Sequence, residues 1–384
     1  MKVLFYTYGM VPGTERLMPW RTLVEVARWM NTSGRHEAAI CSVQPLDSLR
    51  VYEGVAVYSV ESGFEPLRRL VEQGHWNSIF YPVTYRQGLR SLDGLSQIPA
   101  EIIAYIPGGL SPMSGTFELI KQGYWNLSKP YLFDVLIPHK WLIKRLHQAG
   151  IIKMVCQAPL TAQDVVSHGM NKAEVFCALP GKDVNVVEDD SLVKALGLES
   201  QRFLLFSGAP SPVRGAVMAL KAFDTIAERV PNVKLVMLMR RDVSSDFRDF
   251  EAAVKEVMHK EQVIVRYDRV SKEQLFGMFK VAWAVLLPFL IVPSEIPLTF
   301  FEVMSLGTPV VTFENGGTTD YLRKGLKIAS KRSVRSLGEA MVDICQNENE
   351  RNMLSKEAKI IMEKHPTWEQ TAEIWEKAIK GQNA

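Results

Sequence analysis

A chain of 384 residues and 43.3 kDa, 47% hydrophobic and 23% charged, holds material for two or three globular domains. That balance excludes a disordered chain, a collagen-like rod and a small disulfide-framed scaffold. Forty-five Lys and Arg face 42 Asp and Glu, a formal charge of +3 spread evenly over both halves, so no excess serves non-specific phosphate-backbone binding and nucleic acid is not an expected partner.

The predicted strands run in chain order from Lys2–Tyr8 through Glu37–Val43, Val55–Ser59, Ser78–Pro82, Glu101–Ile106, Ile152–Gln157 and Glu174–Ala178. A second series covers Arg202–Ser207, Lys234–Met239, Gln262–Tyr267, Ala282–Leu287, Pro309–Phe313 and Leu326–Ala329. Near-continuous apolar strands separated by helical stretches predict parallel sheets covered on both faces. The expected fold class is α/β, two doubly wound Rossmann-like domains facing a central cleft. The break is expected in Gly181–Ser200, where Glu188-Asp189-Asp190 and a short helix over Leu192–Leu198 interrupt the alternation. Residues 1–183 then form the N-terminal domain and 184–366 the C-terminal one. Three helices close the chain, over Leu337–Cys345, Glu350–His365 and Thr367–Lys380. The last carries Trp368, Ile374, Trp375 and Ile379 at helical spacing and requires a partner surface.

Cys41, Cys156, Cys177 and Cys345 lie far apart without a C-x-x-C pair, and read as buried thiols of a reducing compartment. Met1–Tyr8 is too short for a signal peptide, and the longest apolar run, Val281–Val292, contains Pro288 and reads as a strand and its turn. A cytoplasmic location is expected. Lys140–His147 is basic and amphipathic, which fits weak contact with the inner face of a membrane or simply a solvated helix face.

The densest segment for chemistry is Pro293–Asp320. Thr299 is expected to cap a helix through Ser305, with Glu302 three residues on and Gly307 after its end. Glu302 then either completes a capping box or accepts hydrogen bonds from the vicinal hydroxyls of a ribose, while the helix start binds a diphosphate. Gly316-Gly317-Thr318-Thr319-Asp320 opens another helix, either as an anion-binding turn or as a plain one. Gly208…Arg214-Gly215 follows the first strand of the second series, where Arg214 is placed for phosphate or for solvent. Gly13, Thr14, Glu15 and Arg16 follow the first strand, and Gly108 and Gly109 end another; both turns fall at the carboxyl edge where open α/β sheets bind ligands. No P-loop, no G-x-G-x-x-G and no nucleophile elbow occurs, and His139, His147 and His168 read as surface or satisfied core residues.

Leu298, Glu302, Met304, Gly307, Pro309, Val310, Val311, Gly316 and Gly317 stand in the register of E-G-F-G-L-x-x-x-E-A-M-A-x-G-x-P-V-V-x-x-x-x-G-G. This run resembles the signature of retaining nucleotide-sugar glycosyltransferases of the GT-B fold, family 4 in particular. Gly208…Arg214-Gly215 is similar to that family's G-R-L-x-x-x-K-G, and Pro180-Gly181-Lys182-Asp183 to its interdomain N-G-V-D. The Trp368 helix, about 367–384, is similar to its C-terminal crossing helix, which packs back on the N-terminal domain. The departures are Ser294 at the first motif glutamate, Glu295 after it, Pro297 at a glycine and Ala209 at an arginine.

The resemblance implies transfer of a sugar, with retention, from a nucleoside diphosphate sugar of the UDP or GDP type to a hydroxyl on a glycan, lipid-linked or small-molecule acceptor, in glycan or glycoconjugate biosynthesis. It implies Glu295, Ser294 and Arg214 at the reacting centre. Arg214, Gly215, Gly208, Leu298, Thr299, Glu302 and Thr318 would hold the donor nucleotide, and Gly13–Arg16 with Gly108–Gly109 the acceptor. No cofactor and no metal enters this scheme. An epimerase of the same architecture, or a non-catalytic nucleotide-sugar-binding subunit, is the competing expectation.

Overall fold

The computed structural model describes residues 1–15, 17–44, 51–110, 113–240, 247–292 and 296–381. The first sheet holds β1 (Lys2–Tyr8), β2 (Glu37–Val43), β3 (Val51–Tyr52), β4 (Val55–Val60), β5 (Ser78–Pro82), β6 (Glu101–Ile106), β7 (Met154–Cys156) and β8 (Val175–Cys177), in the order β3-β4-β2-β1-β5-β6-β7-β8. The second holds β9 (Arg202–Gly208), β10 (Val233–Met239), β11 (Val263–Arg266), β12 (Ala284–Leu287), β13 (Val310–Phe313) and β14 (Leu326–Ala329), in the order β11-β10-β9-β12-β13-β14. Every pairing is parallel except β3 with β4. That hairpin escapes sequence reading because its first strand is two residues long. Glu53 and Gly54 both take positive φ at its turn, the backbone a tight two-residue hairpin requires.

Helices cover both faces. They are α1 (Trp20–Thr32), α2 (Phe64–Gly74), α3 (Met113–Lys121), α4 (Trp125–Leu136), α5 (His139–Gln148), α6 (Pro159–Ser167), α7 (Ser191–Ala195) and α8 (Ala216–Asp224). There follow α9 (Arg248–Glu256), α10 (Lys272–Val281), α11 (Leu298–Ser305), α12 (Gly316–Leu322), α13 (Val334–Gln346), α14 (Glu348–Lys364) and α15 (Trp368–Lys380). Each sheet has one apolar cluster on each face, so its inner strands are buried along their whole length and show no two-residue alternation.

The last helix returns to the first sheet. Trp375 is fully buried against Phe80 at 4.8 Å, Tyr105 at 5.5 Å and Phe5 at 5.8 Å between ring centroids. Ala372, Ala378 and Ile379 continue the stripe beside α1. Glu376 fastens the far end to His36 at 3.0 Å and to Arg35 at 3.1 Å.

Crossing also runs the other way. Leu119 of α3 joins the core of the second sheet, with Tyr124 and Tyr131 packed on it. Tyr124 donates to Asp249 at 2.6 Å, and a Cβ on Gly115 would stand 1.9 Å from the Leu290 carbonyl, so α3 lies directly on that loop.

Two local expectations fail. The helix α11 starts at Leu298 with Pro297 in the cap position and no side-chain cap, so Thr299 is not its N-cap and no capping box forms. Pro297 supplies the pre-set backbone without a hydroxyl. The cysteines are not all apart or all buried: Cys156 and Cys177 stand opposite each other on β7 and β8, and Cys177 is only partly buried.

Candidate active site in the interdomain cleft

Asp183 lies in the segment between the sheets, and three elements converge on it. Its carboxylate accepts from Lys272 Nζ at 2.6 Å, from Trp368 Nε1 at 2.9 Å and from Arg21 at 3.3 Å. The α1, α10 and α15 starts are thereby tied to one anion, which holds the Asp183 carboxyl below its usual range despite the opposing effect of burial. The same arginine sits 5.8 Å from the Trp368 ring and pairs with the buried Glu25, whose carboxyl burial pushes up. A zipper flanks the cluster. Lys182 N donates to Pro366 O at 2.9 Å, His365 Nε2 meets Pro180 O at 2.8 Å, and Thr371 Oγ1 donates to Leu179 O at 2.7 Å. Gly181 is required there: a Cβ would stand 2.5 Å from the Trp368 backbone.

Glu302 faces this cluster from α11. Half-buried, it has its carboxyl pushed up to about 7, first by burial and then by the Asp183 charge, with Lys272 and Arg21 opposing. Its environment is therefore ionic and desolvated, and nothing at the helix start satisfies it as a capping partner.

Arg214 ends a short turn before α8 and stands over Phe289, 5.4 Å from the ring centroid, close to Gly208. Gly208 and Gly215 both take positive φ, and a Cβ on Gly215 would approach the Pro288 carbonyl to 2.3 Å. Phe289 in turn stacks on Phe300 of α11 at 6.0 Å. Arg214 and Glu302 thus occupy linked but separate surroundings.

A small recess between the halves is lined by Gly109, Leu110, Ala158, Thr161, Val292, Asn315, Gly317 and Thr318. It brings Gly109 from the carboxyl end of β6 against the Gly316–Thr318 turn. The glycines allow that approach: a Cβ on Gly317 would lie 3.2 Å from Ala158 Cβ, and one on Gly316 would lie 3.4 Å from Leu160. Thr318 is buried in α12, which is only seven residues long. Leu298 and Thr299 lie half-buried at the α11 start, where backbone amides have no partner within the helix. Gly108 neighbours the recess wall, whereas exposed Gly13 and half-buried Thr14 belong to the β1 loop, in which Thr14 Oγ1 bonds Val11 O at 2.7 Å. Glu15 is buried in that loop. The recess lining includes none of residues 13–15. Ser294, Glu295 and Arg16 lie outside the described residues.

Sequence reading missed Arg332. Its guanidinium donates to Ser114 Oγ at 2.6 Å and to the Glu314 carbonyl, and lies 3.5 Å from Asn315 Oδ1. Burial lowers its pKa, and its Nε is buried without a hydrogen-bond partner. It is a cation at the edge of the recess, contributed by a segment after β14 that carries no motif. Arg21 and Lys272 were also missed. On α1, the i,i+4 and i,i+3 spacing of Arg21, Glu25 and Arg28 was the one available signal.

Residues 189–360 match the family Glycosyl transferases group 1. The C-terminal half of the chain is thus similar to group 1 glycosyltransferases. The matched residues contain the β9 turn, α11 and the Gly316–Thr318 turn, and the whole fold is the GT-B architecture of two Rossmann-like halves. A lipopolysaccharide 1,2-N-acetylglucosaminetransferase of Salmonella typhimurium is 24% identical over 237 residues, 58% of this chain and 57% of that protein. That alignment thus reaches little more than half the length of the relative. Among solved structures, sucrose-phosphate synthase from Thermosynechococcus elongatus superposes with a TM-score of 0.74 at 13% identity, over 99% of this chain and 98% of that one. Anabaena HepE in complex with UDP gives 0.73 at 12% identity, over 100% of both. No helix of the described residues is long and apolar enough to cross a membrane.

Proposed function

We propose that this protein is a glycosyltransferase that moves a sugar, with retention, from a nucleoside diphosphate sugar to a hydroxyl acceptor in glycan or glycoconjugate biosynthesis. The observation that carries the reading is the recess where Gly109 meets the Gly316–Thr318 turn of the segment that matches group 1 glycosyltransferases. The bound UDP of the HepE structure supports a UDP-type donor.

In this reading the diphosphate binds among Arg214, Arg332, the α11 start at Leu298–Thr299 and the glycine turn. Negative charge builds on the departing diphosphate as the bond from the anomeric carbon to its oxygen breaks. Cations and amides fixed in place before reaction stabilise that charge without reorganising. The acceptor oxygen forms the new bond, and its proton passes to the diphosphate, which becomes the stronger base as it leaves. Glu302 holds the ribose hydroxyls. Ser294 or Glu295 contacts the donor sugar, and the acceptor enters from Gly108–Gly109 and the Gly13–Arg16 loop. The division at residues 183 and 184 makes the Asp183 cluster the hinge of closure, which excludes water from the activated sugar.

Contact with an anionic membrane surface belongs to the same reading. Trp125, Phe133, Leu136 and Trp141 are 49, 53, 61 and 44% exposed. Lys129, Lys140 and Lys144 share their helices. Aromatic and cationic side chains together suit a headgroup region, and a lipid-linked acceptor would be met there.

The test is a thermal-shift and turnover panel of UDP, GDP and ADP sugars with candidate acceptors. Acceptor-dependent release of the nucleoside diphosphate is expected. Interconversion of sugars without acceptor, or binding without turnover, would replace this reading with an epimerase or a binding subunit.

A further inference from the structure

One cluster of titratable side chains plays no part in the scheme above. Asp164 and His168 stand one turn apart on α6 and at its end, which puts them on one face. His139, the first residue of α5, meets them there. One ring nitrogen from each histidine and one Asp164 oxygen lie within 4.8 Å of one another, and among the described residues no other group of three has such donors so close.

Hydrogen bonds hold the three side chains together. His168 Nδ1 is 2.8 Å from the Asp164 backbone oxygen, which accepts only, so Nδ1 carries the proton and Nε2 keeps a lone pair. His139 Nδ1 lies 2.8 Å from Asp164 Oδ2, with one proton held between them. Tyr85 donates to that same Oδ2 at 2.8 Å and stacks on the His139 ring at 3.6 Å, fixing the plane of the imidazole. Asp164 Oδ1 remains. A metal ion would take the place of the proton between His139 Nδ1 and Asp164 Oδ2, making that carboxylate a ligand, while the carbonyl contact orients the His168 ring. The side chains of His139, Asp164 and His168 are 19, 17 and 36% exposed, so an ion can enter and a water can complete its shell.

We propose that His139, Asp164 and His168 bind a transition-metal cation of the zinc class, which clamps α5 to α6. Two imidazoles and a carboxylate suit Zn²⁺ or Co²⁺, whereas Mg²⁺ and Ca²⁺ demand an all-oxygen set. Metal–donor bonds of about 2.0–2.2 Å require the three side chains to draw together from their present spacing. The site serves structure and not the sugar transfer. The helix α6 begins at the cleft, where Ala158 and Thr161 line the recess and Leu160 faces Gly316, so an ion that pins α6 stiffens that wall.

The experiment uses the full chain, free of any affinity tag and stripped with a chelator. Titration with Zn²⁺ should raise the melting temperature by several degrees, with one saturable site. Bound Co²⁺ should give the intense visible absorption of a tetrahedral centre. H139A and H168A should each weaken affinity at least about tenfold. D164N keeps the side-chain shape and should lose the cobalt signal while its circular dichroism without metal matches wild type. Absence of a saturable shift overturns the proposal. A shift that survives in all three variants also overturns it, because the ion then sits elsewhere as an adventitious ion only. These readouts need no nucleotide sugar, so the outcome is separate from that of the proposed activity.

Discussion

Replacing Glu302 with glutamine removes a charge that the fold holds against its preference. Burial and the Asp183 carboxylate raise the Glu302 carboxyl from 4.5 to about 7. At about 1.4 kcal/mol per pH unit this is about 3 kcal/mol. The folded protein holds this proton more tightly than the unfolded chain does. The contribution is therefore complete below pH 4.5 and is lost as the pH rises through about 7. E302Q has no such proton to lose. Against wild type, its advantage in urea unfolding should grow by about 3 kcal/mol between pH 4.5 and pH 8. The amide retains an oxygen acceptor, so nucleotide affinity should fall by no more than about 1–2 kcal/mol, the difference between a charged and a neutral hydrogen bond. Parallel loss of stability in both proteins over that pH range would refute the argument, because Glu302 would then ionise like an exposed carboxylate.

Four further outcomes are expected. Arg214→Ala should weaken UDP or GDP binding by about 1.5–3 kcal/mol in calorimetric titration, with the melting temperature of the nucleotide-free protein nearly unchanged. Gly181→Ala should destabilise by several kcal/mol in denaturant, because its Cβ would meet the Trp368 backbone at 2.5 Å and open the zipper. His365, buried between Tyr321 and the Pro180 carbonyl, has its pKa lowered from 6.5 to about 4. Its contribution is present above pH 6.5 and drains as the pH falls toward 4, so stability should drop by about 3 kcal/mol over that window and much less in His365→Gln. Vesicles with anionic lipid should retain the protein at low salt, and W125A with W141A should abolish retention without changing turnover on a soluble acceptor.

The cost at Glu302 bears on function. A half-buried carboxylate beside another carboxylate costs folding stability once it ionises, and neighbouring groups with strongly shifted titration mark functional sites more often than chance. Ser294 and Glu295 precede α11 in the sequence, so the shifted carboxylate follows closely on the point where the motif departs from the pattern it resembles. Substituting Glu295 and Ser294 singly would show which of them meets the donor sugar.

Much of the architecture was legible in the chain alone. Strands such as β1, β2, β5 and β6 were predicted to the residue, because parallel strands buried on both faces are unbroken runs of apolar side chains and need no partner to be recognised. The Trp368–Ile379 stripe showed that a surface had to receive the last helix, and the motif run showed the kind of domain that the second half resembles. Tertiary structure decided the rest. Pro297 displaced Thr299 as the cap because the fixed proline backbone starts the helix two residues earlier. The Asp183 cluster joins residues 21, 183, 272, 302 and 368, and the Arg332 contacts join 114, 314 and 332. Side chains so far apart in sequence have no periodicity in common. Only the packed chain removes them from water, and it is that loss of water that ties Asp183 to its cations and moves the titration of Glu302 toward neutrality.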